Sequence, residues 1–147
     1  MPSSADIWIK PINDTLQEDW LIFLPFIHKV LEHDDGRYTA ELIKQRCDSL
    51  HYQLWGIYAK DVPIAVVVTE IVCYTSERRL RILFLAGIDF DSFKHCYQPI
   101  SDWARQLGCT CTEIHGRPGW GRKLKYWNIK PLSSVYKMDL CESGKNM

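Results

Sequence analysis

The segment Cys109–Pro131 constrains the fold of this 147-residue chain more than any other. It reads as a short strand, Thr110 to His115, a sharp turn at Gly116-Arg117-Pro118-Gly119, and a short basic helix, Gly119 to Trp127. Asn128 tolerates the left-handed position that closes a helix, and Pro131 cannot continue one. Just upstream, an amphipathic helix ends in Ala104-Arg-Gln-Leu-Gly-Cys109. Helix, strand, tight turn and helix follow one another closely, as in a sheet covered by helices.

The rest of the chain supplies the other strands. Ile7-Trp-Ile-Lys-Pro-Ile12 alternates as a strand does. Tyr52 to Lys60 is a strand, Asp61-Val-Pro63 a turn, Ile64 to Thr75 a strongly β-branched strand, Ser76-Glu-Arg78 a turn, and Leu80 to Gly87 a further strand. These three strands form an antiparallel meander. Leu16 to Glu32 has helical periodicity through Trp20, Phe23, Leu24, Ile27, Val30 and Leu31, and Pro25 predicts a kink or break in it. Thr39 caps a second helix, Ala40 to about Asp48. Phe90 to Leu107 is helical, with Pro99 marking the start of a shorter helix. Val135 to Leu140 reads as a last strand. Residues 1–141 then form one domain, and 142–147 form a disordered tail. From the residues alone the class is α/β or α+β with one sheet.

Composition removes several functions. Eighteen basic and eighteen acidic residues cancel, which gives no support to nucleic-acid binding. Six tryptophans and seven tyrosines call for a heavily packed core or an interface. Cys47, Cys73, Cys96, Cys109, Cys111 and Cys141 lack paired C-x-x-C spacing, so no metal site is expected. The first residues have neither a basic n-region nor an apolar h-region, so the protein is not expected to be secreted, and its cysteines should be reduced. No apolar run reaches the roughly 18 residues of a membrane span.

Trp103-Ala104-Arg105, Gly108-Cys109, Gly116-Arg117 and Gly119-Trp120, followed by Leu124 and Ile129, resemble a pattern in the GNAT-like (Gcn5-related N-acetyltransferase-like) proteins of tailed bacteriophages. Asn128 stands where that pattern has glycine. The match covers about the last third of the chain, and the order of elements extends it to nearly the whole. The resemblance implies a single GNAT-like domain, α/β (α+β mixed), with a central, mostly antiparallel, splayed sheet and helices on both faces. It implies that acetyl-CoA, if bound, would lay its pantetheine between the fourth and fifth strands. Its pyrophosphate would sit on a glycine-rich loop at the next helix N-terminus. The corresponding stretch, Leu85 to Pro99, has one glycine, Gly87, and places Asp89 and Asp91 where phosphate would sit. Carboxylates repel phosphates. No cofactor is therefore expected; the alternative is acetyl-CoA against Leu85, Ala86 and Gly87. The tyrosine that many members use as general acid aligns with Leu124, and Tyr126 lies roughly 200° further round a helix.

Glu70 and Glu113 are the candidate general bases, and His115, just before the Gly-Arg turn, is the best single candidate for a site residue. Each also has a plain structural reading, on the polar face of a strand or as a hydrogen-bonded histidine. Gly116, Arg117, Gly119 and Trp120 form a structural turn, with Trp120 packing towards Trp103. The resemblance implies a protein-binding or virion-assembly role with other phage virion proteins as partners, in the host cytoplasm or the particle. Arg122, Tyr126 and Trp127 are the proposed contacts, and a homo-oligomer is left open. The competing reading is an acyl-CoA-dependent N-acetyltransferase modifying a host or phage protein, and the balance leans away from an enzyme.

Overall fold

The computed structural model describes residues 6–34, 36–87, 90–115, 129–133 and 135–140. The chain divides into two compact units, Met1–His115 and Gly116–Met147.

In the first unit five strands form one sheet in chain order: β1 (Ile7–Pro11), β2 (Gln53–Ala59), β3 (Val62–Cys73), β4 (Arg78–Gly87) and β5 (Cys109–Ile114). β1 to β4 pair antiparallel, so β2–β3–β4 is the meander that the alternating runs predict. β5 joins β4 in parallel, because an intervening helical segment carries the chain back across the sheet.

Helices cover both faces. α1 (Leu16–Leu31) and α2 (Ala40–Asp48) lie on one. There Phe23, Ile27, Ile43 and Cys47 pack on Leu54, Val66 and Val68. On the other lie the one-turn α3 (Phe90–Phe93), a 3-10 turn at Lys94–Cys96, and α4 (Tyr97–Gln106). Phe93, Ile100 and Ala104 pack there on Ala65, Val67, Leu80 and Ile82. Successive residues of β3 thus serve opposite cores, which is why its sequence is continuously apolar rather than alternating.

Local chemistry sets the element ends. Thr39 Oγ1 accepts the Leu42 amide at 3.1 Å and caps α2 as its sequence predicts. α2 closes with paired bonds, His51 N–H to Arg46 O at 2.9 Å and Leu50 N–H to Cys47 O at 3.2 Å, and Leu50 occupies the left-handed position with φ 65°. The Asn13 side chain donates to Cys47 O and Tyr52 O and accepts from the Leu54 amide, fixing the α2–β2 connection against the start of α1. Pro99 is the third residue of α4, where an amide has no intrahelical acceptor in any case.

Two expectations are corrected. The break expected at Pro25 does not occur: α1 is one helix from Leu16 to Leu31. Pro25 lies on the outward face with Leu21, which is 74% exposed, so the Leu21 carbonyl that proline leaves without its helical donor has access to water. Val135 to Leu140 form no strand. Their side chains are exposed, Tyr136 by 90% and Leu140 by 91%, and alternation without a neighbouring ladder does not make a strand.

Candidate functional site

The site is built where β4 changes its pairing. Up to Ile82 its residues follow one alternation: Leu80 and Ile82 enter the α4-side core, so Arg79 and Arg81 project to the α1/α2 side. The β3–β4 register then shifts, from Thr69 opposite Ile82 to Val68 opposite Phe84, and Leu83 is the extra residue. Beyond the shift Phe84 and Ala86 pack towards α1 and α2, while Leu85 packs on the other side.

On the α1/α2 side Arg79 and Arg81 gather carboxylates from three places. Arg81 Nη1 donates to Glu70 Oε1 at 2.9 Å and its Nε to Glu113 Oε2 at 3.2 Å. Arg79 Nη1 donates to Glu113 Oε1 at 2.9 Å, and Arg79 also pairs with Glu77. Tyr74 donates its hydroxyl to Glu113 at 2.8 Å and accepts from Arg81 at 3.0 Å. Glu113 is the hub and its side chain is only 11% exposed. Burial pushes its carboxyl pKa up, but the bonds from Tyr74, Arg79 and Arg81 outweigh this and hold it at about 2. A carboxylate so held stays ionised and is a poor proton acceptor.

His115 stands beside this hub. Its Nε2 is 3.6 Å from Glu113 Oε2, and its ring is half-buried. Burial and the Arg81 charge lower its pKa further than Glu113 raises it, so the imidazole is neutral at pH 7. Its amide donates to Ile82 O at 3.0 Å. β5 ends there: the ladder pairs Arg78–Ile82 with Cys109–Ile114, and among the described residues no strand continues beside Leu83–Gly87 on that edge. At its far end β4 is pressed against β3, since a Cβ on Gly87 would lie 2.4 Å from that of Ala65. The chain then enters α3, a single turn whose first residues include Asp91. The Asp91 carboxylate is 84% exposed and 3.8 Å from Lys94.

No family model matches the sequence, and no curated protein matches it. Solved structures match the fold. An aminoglycoside acetyltransferase from an uncultured soil metagenomic sample, in complex with sisomicin, superposes with TM-score 0.65 at 9% identity, covering 92% of this chain and 98% of that one. Aminoglycoside N-acetyltransferase AAC(6')-Iy, in complex with CoA, gives 0.64 at 13%, covering 92% and 95%. A ribosomal-protein-alanine N-acetyltransferase from Brucella melitensis biovar Abortus 2308 gives 0.64 at 14%, covering 91% and 99%. A GNAT family acetyltransferase of Staphylococcus aureus gives 0.63 at 12%, covering 92% and 99%. The chain has the GNAT fold. At these identities the likeness speaks to architecture and carries no activity with it.

Within that GNAT fold, three residues marked from sequence come together. Glu70, Glu113 and His115 share one face of the β3–β4–β5 end. Neither glutamate takes the plain solvent-facing role: Glu70 is 20% exposed and paired with Arg81. Leu85, Ala86 and Gly87 lie on the stretch of β4 that, among the described residues, pairs with β3 alone. Asp89, the turn residues Gly116, Arg117, Gly119 and Trp120, and the proposed contacts Arg122, Tyr126 and Trp127 lie outside the described residues. Sequence reading missed Arg79, Arg81 and Tyr74. A signal was present: arginines at i and i+2 of a strand share one face, and that face needs carboxylates opposite them. Among the described residues no group of three or more His, Cys, Asp or Glu is placed to hold a metal, and no helix is long and apolar enough to cross a membrane.

Proposed function

We propose that this chain uses the GNAT fold to bind a protein partner in an assembly and does not turn over acetyl-CoA. The observation that carries this reading is the segment after β4. A four-residue helix with Asp91 in its first turn stands where a pyrophosphate would need a glycine-rich loop and a helix N-terminus. Glu113 supports the same reading, since the bonds from Tyr74, Arg79 and Arg81 hold its carboxyl at about 2 and leave it a poor proton acceptor. The resemblance to tailed-phage proteins makes other virion proteins the first partners to try, with Arg122, Tyr126 and Trp127 as the contacts to substitute. Calorimetric titration tests the reading. Acetyl-CoA should bind no tighter than about 1 mM, near −4 kcal/mol, and micromolar binding would overturn it.

His115 favours a second reading, an N-acyltransferase. It is a neutral imidazole at the end of β5, where the β4–β5 ladder of the described residues stops, and beside a carboxylate that can orient it. On that reading its ring would accept a proton from an amine. Release of free thiol from acetyl-CoA, abolished in His115→Ala, would establish it.

A further inference from the structure

We propose that the outward face of α1 is a docking site for the Ile129–Leu140 segment of a second copy of this chain. The inference goes beyond the reading above and does not depend on whether acetyl-CoA binds.

The neutral total hides a segregation of charge. Residues 1–36 carry seven acidic and two basic groups, while residues 116–147 carry two acidic and seven basic ones. The acidic surplus has a place in the fold. Leu21 to Phe26 are apolar without a break. Phe23 enters the core, with Leu24 and Phe26 packed beside it. Leu21, Ile22 and Pro25 are left on the outward side, where Leu21 is 74% and Ile22 45% exposed. Glu18 and Glu32 share that side with Leu21 and Pro25 at helical spacing, and both are exposed. An apolar patch on α1 is thus bracketed by carboxylates.

The Ile129–Leu140 segment has the complementary pattern. Lys130 and Lys137 bracket Leu132, Val135 and Tyr136, and all five side chains are exposed. Lys137 lies 3.9 Å from Asp139, an exposed pair that is readily exchanged. The spacings agree as well as the signs. Seven residues of extended chain span about 23 Å, and the fourteen residues of helix from Glu18 to Glu32 span about 21 Å. The two lysines can therefore meet the two glutamates while the apolar residues between them cover Leu21, Ile22 and Pro25. A pairing of α1 with α1 would set acid against acid, so the contact joins unlike surfaces. Each chain carries both surfaces. Two copies exchanging them reciprocally supply on the order of the 20 residues a side that a stable interface takes.

Sedimentation equilibrium of the full chain, over a concentration series at low and high salt, tests the proposal. The chain should self-associate at low salt, and high salt should weaken the association tenfold or more. In the parent, association should slow amide exchange across Ile129–Leu140. The pair Glu18→Lys with Glu32→Lys, and separately the pair Lys130→Glu with Lys137→Glu, should each weaken association tenfold or more. All four substitutions together should restore it, because the charges are again opposite. A chain that stays monomeric throughout overturns the proposal, as does self-association that ignores these four residues or is not restored in the combined variant. If Leu21→Asp speeds amide exchange in Ile129–Leu140 of a monomer, the occupant is the chain's own segment and the proposal fails. Micromolar binding of acetyl-CoA would sink the assembly reading and leave this one standing.

Discussion

Leu50 holds a backbone conformation that glycine adopts freely and leucine does not. Its φ is 65°, its side chain is 69% exposed, and it stands where paired backbone bonds close α2. No burial offsets the strain. Leu50→Gly should therefore stabilise the chain by about 1 kcal/mol, read as a higher urea midpoint at unchanged slope. Gly56 is the opposite case. It lies mid-strand under the Phe23 ring, and a Cβ would come within 2.5 Å of that ring. Gly56→Ala should cost about 1–3 kcal/mol in the same measurement, as overpacking does. The thiols divide by depth. Burial, with the Asp48 charge adding to it, pushes Cys47 up to about 12, and burial pushes Cys96 up to about 11. Cys73 and Cys111 are exposed. Iodoacetamide at pH 8 should label the exposed pair in the native protein and reach Cys47 and Cys96 only after denaturation, as peptide mass spectrometry would show.

At the scale of elements, β5 depends on Glu113. Glu113→Gln removes the charge that Arg79 and Arg81 share, and should cost roughly 1–2 kcal/mol at pH 7. The sign of the pH dependence follows. The folded carboxyl titrates near 2 and an unfolded one near 4.5, so the contribution is full above 4.5 and is lost as pH falls towards 2. Parent and variant melting temperatures should therefore converge across that window; a constant gap would remove Glu113 as the acid-sensitive group. Much of this was legible in sequence. The three strands of the meander and the α2 cap follow from β-branched runs, turn residues and Thr39. The bulge at Leu83 was not, because nothing in Ile82-Leu83-Phe84 distinguishes an extra residue from a regular one. That one shift turns Phe84 and Ala86 towards α1 and α2, the side to which Arg79 and Arg81 project. Glu70, Glu113 and His115 could be flagged singly, but their protonation is set by arginines on a neighbouring strand, and that depends on register. Val135–Leu140 shows the converse, a strand-like pattern with no ladder.

For the first unit as a whole, the parallel attachment of β5 has a consequence in time. β2, β3 and β4 are joined by tight turns, so their ladders close over short loops. β5 can pair only after the chain from Phe90 to Gln106 has folded back as α3 and α4, and it then gains a short parallel ladder. Closing a long loop for few bonds is slow to form and early to open. In pulse-labelled refolding the amides of β2 and β3 should be protected first, and those of Cys109–Ile114 last. In the native protein the order should reverse, with amide exchange at Cys109–Ile114 faster than in β2 and β3, so that the end of the sheet carrying Glu113 and His115 opens before the meander does.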